Sequence, residues 1–286
     1  MKISKRDIKS FIGTNVLRFA TIFGLIFLAI FLYTIFSRGG SVISLSFLTE
    51  VPKKGMTEGG IYPAIIGTLA LTLTSILIAF PIGLFAAIYL VEYAGKNWFV
   101  RSIRVAIGTL SAVPSIIFGL FGLTVFVVFF DLGVSILSGA LTLAVMVLPY
   151  IIKTSEEALK AVPQSFREAS IALGANKSRT ILKVVLPTAF QSIITGIVVS
   201  IGRVAGETAP ILFTAATFYT RELPSSFMDE VMALPYHIYA LMTEGTNPVK
   251  QEPMAYGTAV VLLALVLIVS LVAIIWRYNI RRKKKW

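Results

Sequence analysis

The sequence predicts an all-α, polytopic membrane protein with six transmembrane helices, and three observations carry that reading. Of its 286 residues, 56% are hydrophobic and only 14% charged, whereas about a quarter of the residues of a soluble domain are charged. Six apolar runs are each long enough to cross a hydrocarbon core, which takes about 20 helical residues. The basic residues collect in alternate segments between those runs. Backbone polar groups find no water in lipid, so each run must fold as a helix.

The expected spans are 19–36, 61–91, 105–130, 132–152, 188–218 and 254–276, in one transmembrane domain over residues 1–286. The first follows a basic N-terminus but is long for a signal sequence, and Ser37-Arg38-Gly39-Gly40 follows it instead of a cleavage site, so it reads as a retained anchor. In the second, Pro81 and Gly83 predict a kink or an extension, and Thr68, Thr72 and Ser75 place three hydroxyls on one face. In the third, Ser111 and Ser115 lie one turn apart beside Pro114. Hydroxyls of this kind either bond back to the preceding turn or line a polar path, and from sequence both readings stand. Asp131 alone separates the third and fourth spans. The fifth carries two charges, Arg203 and Glu207, with Arg203 near its middle.

Charge in the connecting segments sets the orientation. Segments 1–18, 92–104, 153–187 and 277–286 are the more basic, and segment 219–253 is acidic. Both termini and the 153–187 loop are therefore expected in the cytoplasm. The net charge of +12 follows this membrane pattern, so no nucleic-acid partner is expected. With no cysteine, and His237 as the only histidine, neither thiol chemistry nor a histidine metal cluster is expected. The 219–253 segment contains Phe227, Met228, Met232, Leu234, Tyr236, Ile238 and Tyr239, which suits either a short amphipathic helix across the outer mouth or a plain connection.

The 153–187 loop is too long for a turn. Pro163 suits a helix start, Phe166, Ala169, Ser170 and Leu173 recur at helical spacing, and Gly174 suits a helix end. Asn176 can cap a second short helix that runs to Val185, before Pro187. A helix, a turn and a helix at the membrane surface suit a groove in another protein. In the fifth span, Gly202, Ala205, Gly206 and Ala209 allow a close helix neighbour. Arg203 and Glu207, one turn apart, form either a buried packing pair or a site that offers a fixed positive charge to a passing oxyanion.

Glu168-Ala169-Ser170, three residues, Gly174, nine residues, Val184, one residue, Leu186-Pro187 resembles the EAA loop of ABC importer permeases, with Ser170 and Val184 as its departures. The segment Gly202-Arg203-Val204-Ala205-Gly206-Glu207-Thr208-Ala209-Pro210-Ile211-Leu212-Phe213-Thr214-Ala215 is similar to one in PstA-type permease subunits of phosphate ABC transporters, as is Val113-Pro114-Ser115-Ile116-Ile117-Phe118-Gly119-Leu120. The resemblance covers nearly the whole chain. It implies a type I ABC importer permease fold in a bacterial cytoplasmic (inner) membrane. It also implies a PstC-type permease as heterodimer partner, two PstB-type ATPase subunits and a PstS-type external phosphate-binding protein.

The function these readings imply is half of a translocation path for inorganic phosphate, driven by a partner ATPase. Path residues are expected to be Arg203, Glu207, Thr208, Ser111 and Ser115. The ATPase coupling set is expected to be Arg167, Glu168, Ala169, Ser170 and Gly174. No G-x4-G-K-[ST] loop occurs, and Gly174-Ala175-Asn176-Lys177-Ser178 lacks its second glycine. The chain is therefore expected to be non-catalytic and to bind no cofactor, with ATP and Mg on the partner subunit. The alternatives are a permease for sulfate, molybdate or phosphonate, or a transporter driven by an ion gradient, against which stands the absence of a visible internal repeat.

Overall fold

The computed structural model describes residues 5–95 and 97–283. Lys2, Lys96, Lys284 and Lys285, counted above among the basic flanks, lie outside the described residues.

Helix α1 (Lys5–Gly39) is followed by a short α2 (Leu45–Thr49) and a two-stranded hairpin, β1 (Pro52–Lys53) with β2 (Glu58–Gly59). Helix α3 (Tyr62–Ile88) continues through a wider π turn, Tyr89–Tyr93. Then come α4 (Trp98–Leu110), α5 (Ser115–Gly122) with a π continuation Leu123–Phe129, and α6 (Ile136–Lys160). Two short helices, α7 (Gln164–Ala172) and α8 (Lys177–Thr180), lead through a π turn, Ile181–Val185, into α9 (Leu186–Gly206). The chain closes with α10 (Ala209–Leu212), α11 (Leu234–Thr243) and α12 (Pro248–Lys283). Among the described residues, five unbroken helical stretches are long and apolar enough to cross a membrane, and the bent α4–α5 pair makes six if it is counted as one span.

Helices α3 and α6 form the centre, packed along each other with Gly83 against Ile151 and Gly139 against Leu71. Helix α9 lies on both, and Gly196 accommodates Thr154 of α6. Helix α12 joins α9, and α1 reaches the rest chiefly through α12, where Gly39 meets the backbone of Tyr256 and Arg38 pairs with Glu252 at 2.8 Å. Most of α1 and much of α12 is apolar and exposed, as expected of helices solvated by lipid or by another membrane chain.

Two expected spans differ from the structure. The run 105–130 is not one helix, because α4 and α5 meet at 101°. Pro114 has no N–H for the preceding turn and holds an extended backbone (φ −56°, ψ 138°). Helix α4 thus runs separately, with Trp98, Phe99 and Val105 exposed. The run 188–218 is not one helix either. The spanning stretch starts earlier, at Lys177, and ends at Gly206, so Arg203 occupies its last turn instead of its middle. Pro210 supplies the cause: it lacks the N–H that would bond the Gly206 carbonyl, and its ring would crowd that carbonyl.

Candidate functional site

The break after α9 holds the charges. Glu207 adopts an extended conformation (φ −76°, ψ 131°) between α9 and α10. Arg203, in the last turn of α9, sits where the helix dipole favours a cation. Its Nε lies 3.6 Å from Glu207 Oε1, with 41% of the arginine side chain and 18% of the glutamate exposed. That separation exceeds a hydrogen bond. The two charges attract, yet the guanidinium fork stays open to the outside of this chain. An exposed charge on a spanning helix does not rest in hydrocarbon; from the last turn it reaches a polar path, another protein or the headgroup level.

Glu207 instead points toward the interior, where with Thr68, Thr72, Leu143 and Ala233 it lines a pocket of about 10 Å³, room for about one water. Thr68 and Leu143 lie six and seven residues into α3 and α6, which sets the pocket roughly 10 Å along these helices. Thr68 is not free to line a path. Its hydroxyl donates to Ala64 O (2.7 Å) and accepts from Leu234 N (2.8 Å), pinning the start of α11 to α3. Ser75 bonds back to Leu71 O.

Ser111 donates to Ile107 O at 3.2 Å and is exposed at the end of α4, on the other side of the bend from Ser115. Ser115 opens α5, half-buried, one turn before Gly119 on the same face. A Cβ at Gly119 would stand 2.9 Å from Ala209 O and 3.1 Å from Pro210 Cα. The Val113–Leu120 element and the Arg203–Ala215 segment are thus packed on each other at backbone contact. Thr208, half-buried, accepts Leu212 N at 3.1 Å through its carbonyl and so starts α10.

The 219–253 segment folds over this end of the helices. Its backbone caps α6, since Asp229 O and Phe227 O accept the N–H groups of Ile136 and Leu137. Of the two readings of this segment, the structure has the short helix: α11 buries Tyr236 and His237 and leaves Tyr239 and Met242 exposed. Burial holds the His237 imidazole at about 4, below its usual 6.5, and neither ring nitrogen has a hydrogen-bond partner.

At the opposite end, Asn176 Oδ1 accepts Arg179 N (2.9 Å), Gly174 takes φ +83°, and the hydroxyls of Ser170 and Thr180 meet at 2.9 Å. These contacts make a rigid helix-turn-helix. Glu168 and Ala169 are exposed, as are Phe166, Ile171 and Leu173, the last to 89%. This apolar surface with one carboxylate beside it suits a protein groove.

Arg167 differs from its neighbours because it turns inward. It donates to Glu92 Oε1 from Nε (3.2 Å) and Nη2 (2.8 Å), to Val162 O from Nη1 (2.7 Å) and to Leu159 O from Nη2 (2.9 Å). Glu92 was not singled out from sequence; its one signal was being the sole acid of a basic segment. Beside this pair lies a cavity of about 580 Å³, lined also by Val91, Lys160, Gln164 and Lys177. A second ionic group, Arg104–Glu156–Lys160 (3.1 and 2.7 Å), ties α4 to α6.

Residues 79–286 match the family described as "Binding-protein-dependent transport system inner membrane component". The chain is 34% identical over 265 residues to "Probable ABC transporter permease protein YqgI" of Bacillus subtilis, covering 89% of this chain and 90% of that one. It is 33% identical over 286 residues to "Phosphate transport system permease protein PstA 1" of Mycobacterium tuberculosis, covering 98% and 91%. Among solved structures, a bacterial alginate ABC transporter crystallised with its pentasaccharide-bound periplasmic protein aligns over 95% of this chain and 96% of that one, with a TM-score of 0.67 at 16% identity. That likeness is one of fold.

Proposed function

The chain belongs to the family of binding-protein-dependent transport system inner membrane components, and on that premise we propose that it forms half of a path for inorganic phosphate through the membrane. It is a multi-pass permease subunit with the fold of ABC importer permeases, and partners of the ATPase and external binding-protein kinds follow from the family. Phosphate as cargo is supported by PstA-named relatives that match most of the chain. By the same likeness the partners are a PstC-type permease, two PstB-type ATPases and a PstS-type binding protein.

The observation that carries the reading is the open guanidinium of Arg203 at the break after α9. A planar fork that carries a permanent charge matches a tetrahedral oxyanion. Glu207, one turn away, keeps that anion from being held too tightly, and Ser115 and Thr208 are its polar neighbours on the packed elements. The chain itself is non-catalytic, and Mg-ATP binds the partner ATPase. Force enters through α7 and α8, with the 153–187 loop and both termini on the cytoplasmic side, in keeping with their basic flanks.

Deleting residues 164–174 tests this. The expected result is loss of ATP-driven phosphate uptake while the remaining helices still insert. Uptake that survived the deletion would remove the loop from the mechanism.

A further inference from the structure

We infer that Glu92 and Arg167 are the joint through which movement of α7 becomes movement of α3. The inference rests on the reading that α7 takes force from a partner ATPase. Helix α7 has no buried residue, so packing holds it weakly. Among the described residues, Arg167 makes the side-chain hydrogen bonds that join α7 to the ends of α3 and α6, while Ser170 bonds Thr180 of α8, at the start of the stretch that leads into α9.

One guanidinium therefore closes three elements together. It holds α7 itself, the end of α6 through the carbonyl of Leu159, the turn after α6 through that of Val162, and the π turn that ends α3 through Glu92. The two side chains are only 12% and 9% exposed, so salt screens the pair less than it would a surface pair. Arginine suits the place because its fork reaches two carbonyls and a carboxylate at once, which an ammonium does not. Arg167 is thus a positioning residue that faces away from the docking surface, while Glu168, Ile171 and Leu173 face outward. Glu92 receives the push.

The test uses the complete transporter in proteoliposomes, with phosphate transport and ATP hydrolysis measured together. In Arg167→Gln and Glu92→Gln, hydrolysis should continue while phosphate carried per ATP falls by about tenfold. The double variant should be no worse than either single one, and Arg167→Lys should be intermediate. Unchanged transport per ATP in both glutamine variants would overturn the joint.

A second arm needs no phosphate. Spin labels on Tyr89→Cys and Ser165→Cys, in a chain without other cysteines, should keep a constant separation between nucleotide-free and ATP-trapped states, and should lose that constancy when Arg167→Gln is added. A separation that changes in the otherwise unmodified chain would show that the two elements do not move as one. Failure of the unmodified complex to carry phosphate, with the label result as expected, would count against the cargo alone.

Discussion

Arg203 carries the exposed charge at the break after α9. If it presents its fork to the anion, Arg203→Gln should lower phosphate flux by about tenfold or more while the complex still assembles, and Arg203→Lys should retain part of the flux because charge survives without the fork. Uptake and copurification of the partner subunits check both outcomes together; failure to assemble would assign the Arg203–Glu207 pair to packing. Thr68→Val makes a different prediction. It leaves the fully buried Leu234 without its hydrogen bond, a cost of about 1–3 kcal/mol, and should lower the melting temperature in detergent. His237 supplies the pH dependence. The unfolded chain takes up a proton near the usual 6.5 and the folded chain only near about 4. Between those values the unfolded state binds more protons, so stability falls as pH drops through that window, by about 3 kcal/mol in all, and is flat above it. Thermal unfolding followed from pH 7.5 to 4.5 should show that loss, and His237→Leu should flatten the curve.

The helices show which parts of the fold a sequence displays and which it conceals. Hydropathy marks apolar stretches, and α3, α6 and α12 coincide with such stretches because in each the backbone stays helical. It does not see a break between two apolar pieces. Both interrupted runs are broken beside a proline, at Pro114 and at Pro210, within stretches whose mean hydropathy stays high. The signal was present locally, but a proline inside lipid is compatible with a kink as well as with a break. Pro81, Pro149 and Pro253 remain inside continuous helices. What separates the cases is tertiary: α5 and α10 turn so that Gly119 can meet Ala209 and Pro210. Gly119→Val should therefore push these elements apart and lower both stability and flux, measured as melting temperature and uptake on one preparation, whereas Gly13→Val, with nothing within 4 Å, should change neither. The Arg167–Glu92 bond was hidden for another reason. Its partners are 75 residues apart, and no periodicity links them. The resemblance to the EAA loop placed Arg167 with Glu168 in one coupling set, and only the packed ends of α3 and α6 show that the two side chains face opposite ways.

At the scale of the whole molecule, the two ends of the helix bundle present different surfaces. At one end, the break after α9 opens a charge to the outside of the chain; at the other, α7 offers an apolar surface anchored by one buried ion pair. Between them run α3, α6 and α9, packed through small residues such as Gly83 and Gly196, so the bundle can transmit a displacement with little internal slack. On the proposed reading, the exposed Arg203 lines half of a path that a second permease chain completes. The most direct measurement is labelled phosphate uptake in cells that lack only this chain, with and without its return, under low phosphate and with sulfate and molybdate as competitors. The account predicts that uptake returns with the chain, is insensitive to both competitors and stops when ATP is depleted. Phosphate uptake indifferent to the chain's loss, with transport of one competitor abolished instead, would contradict it.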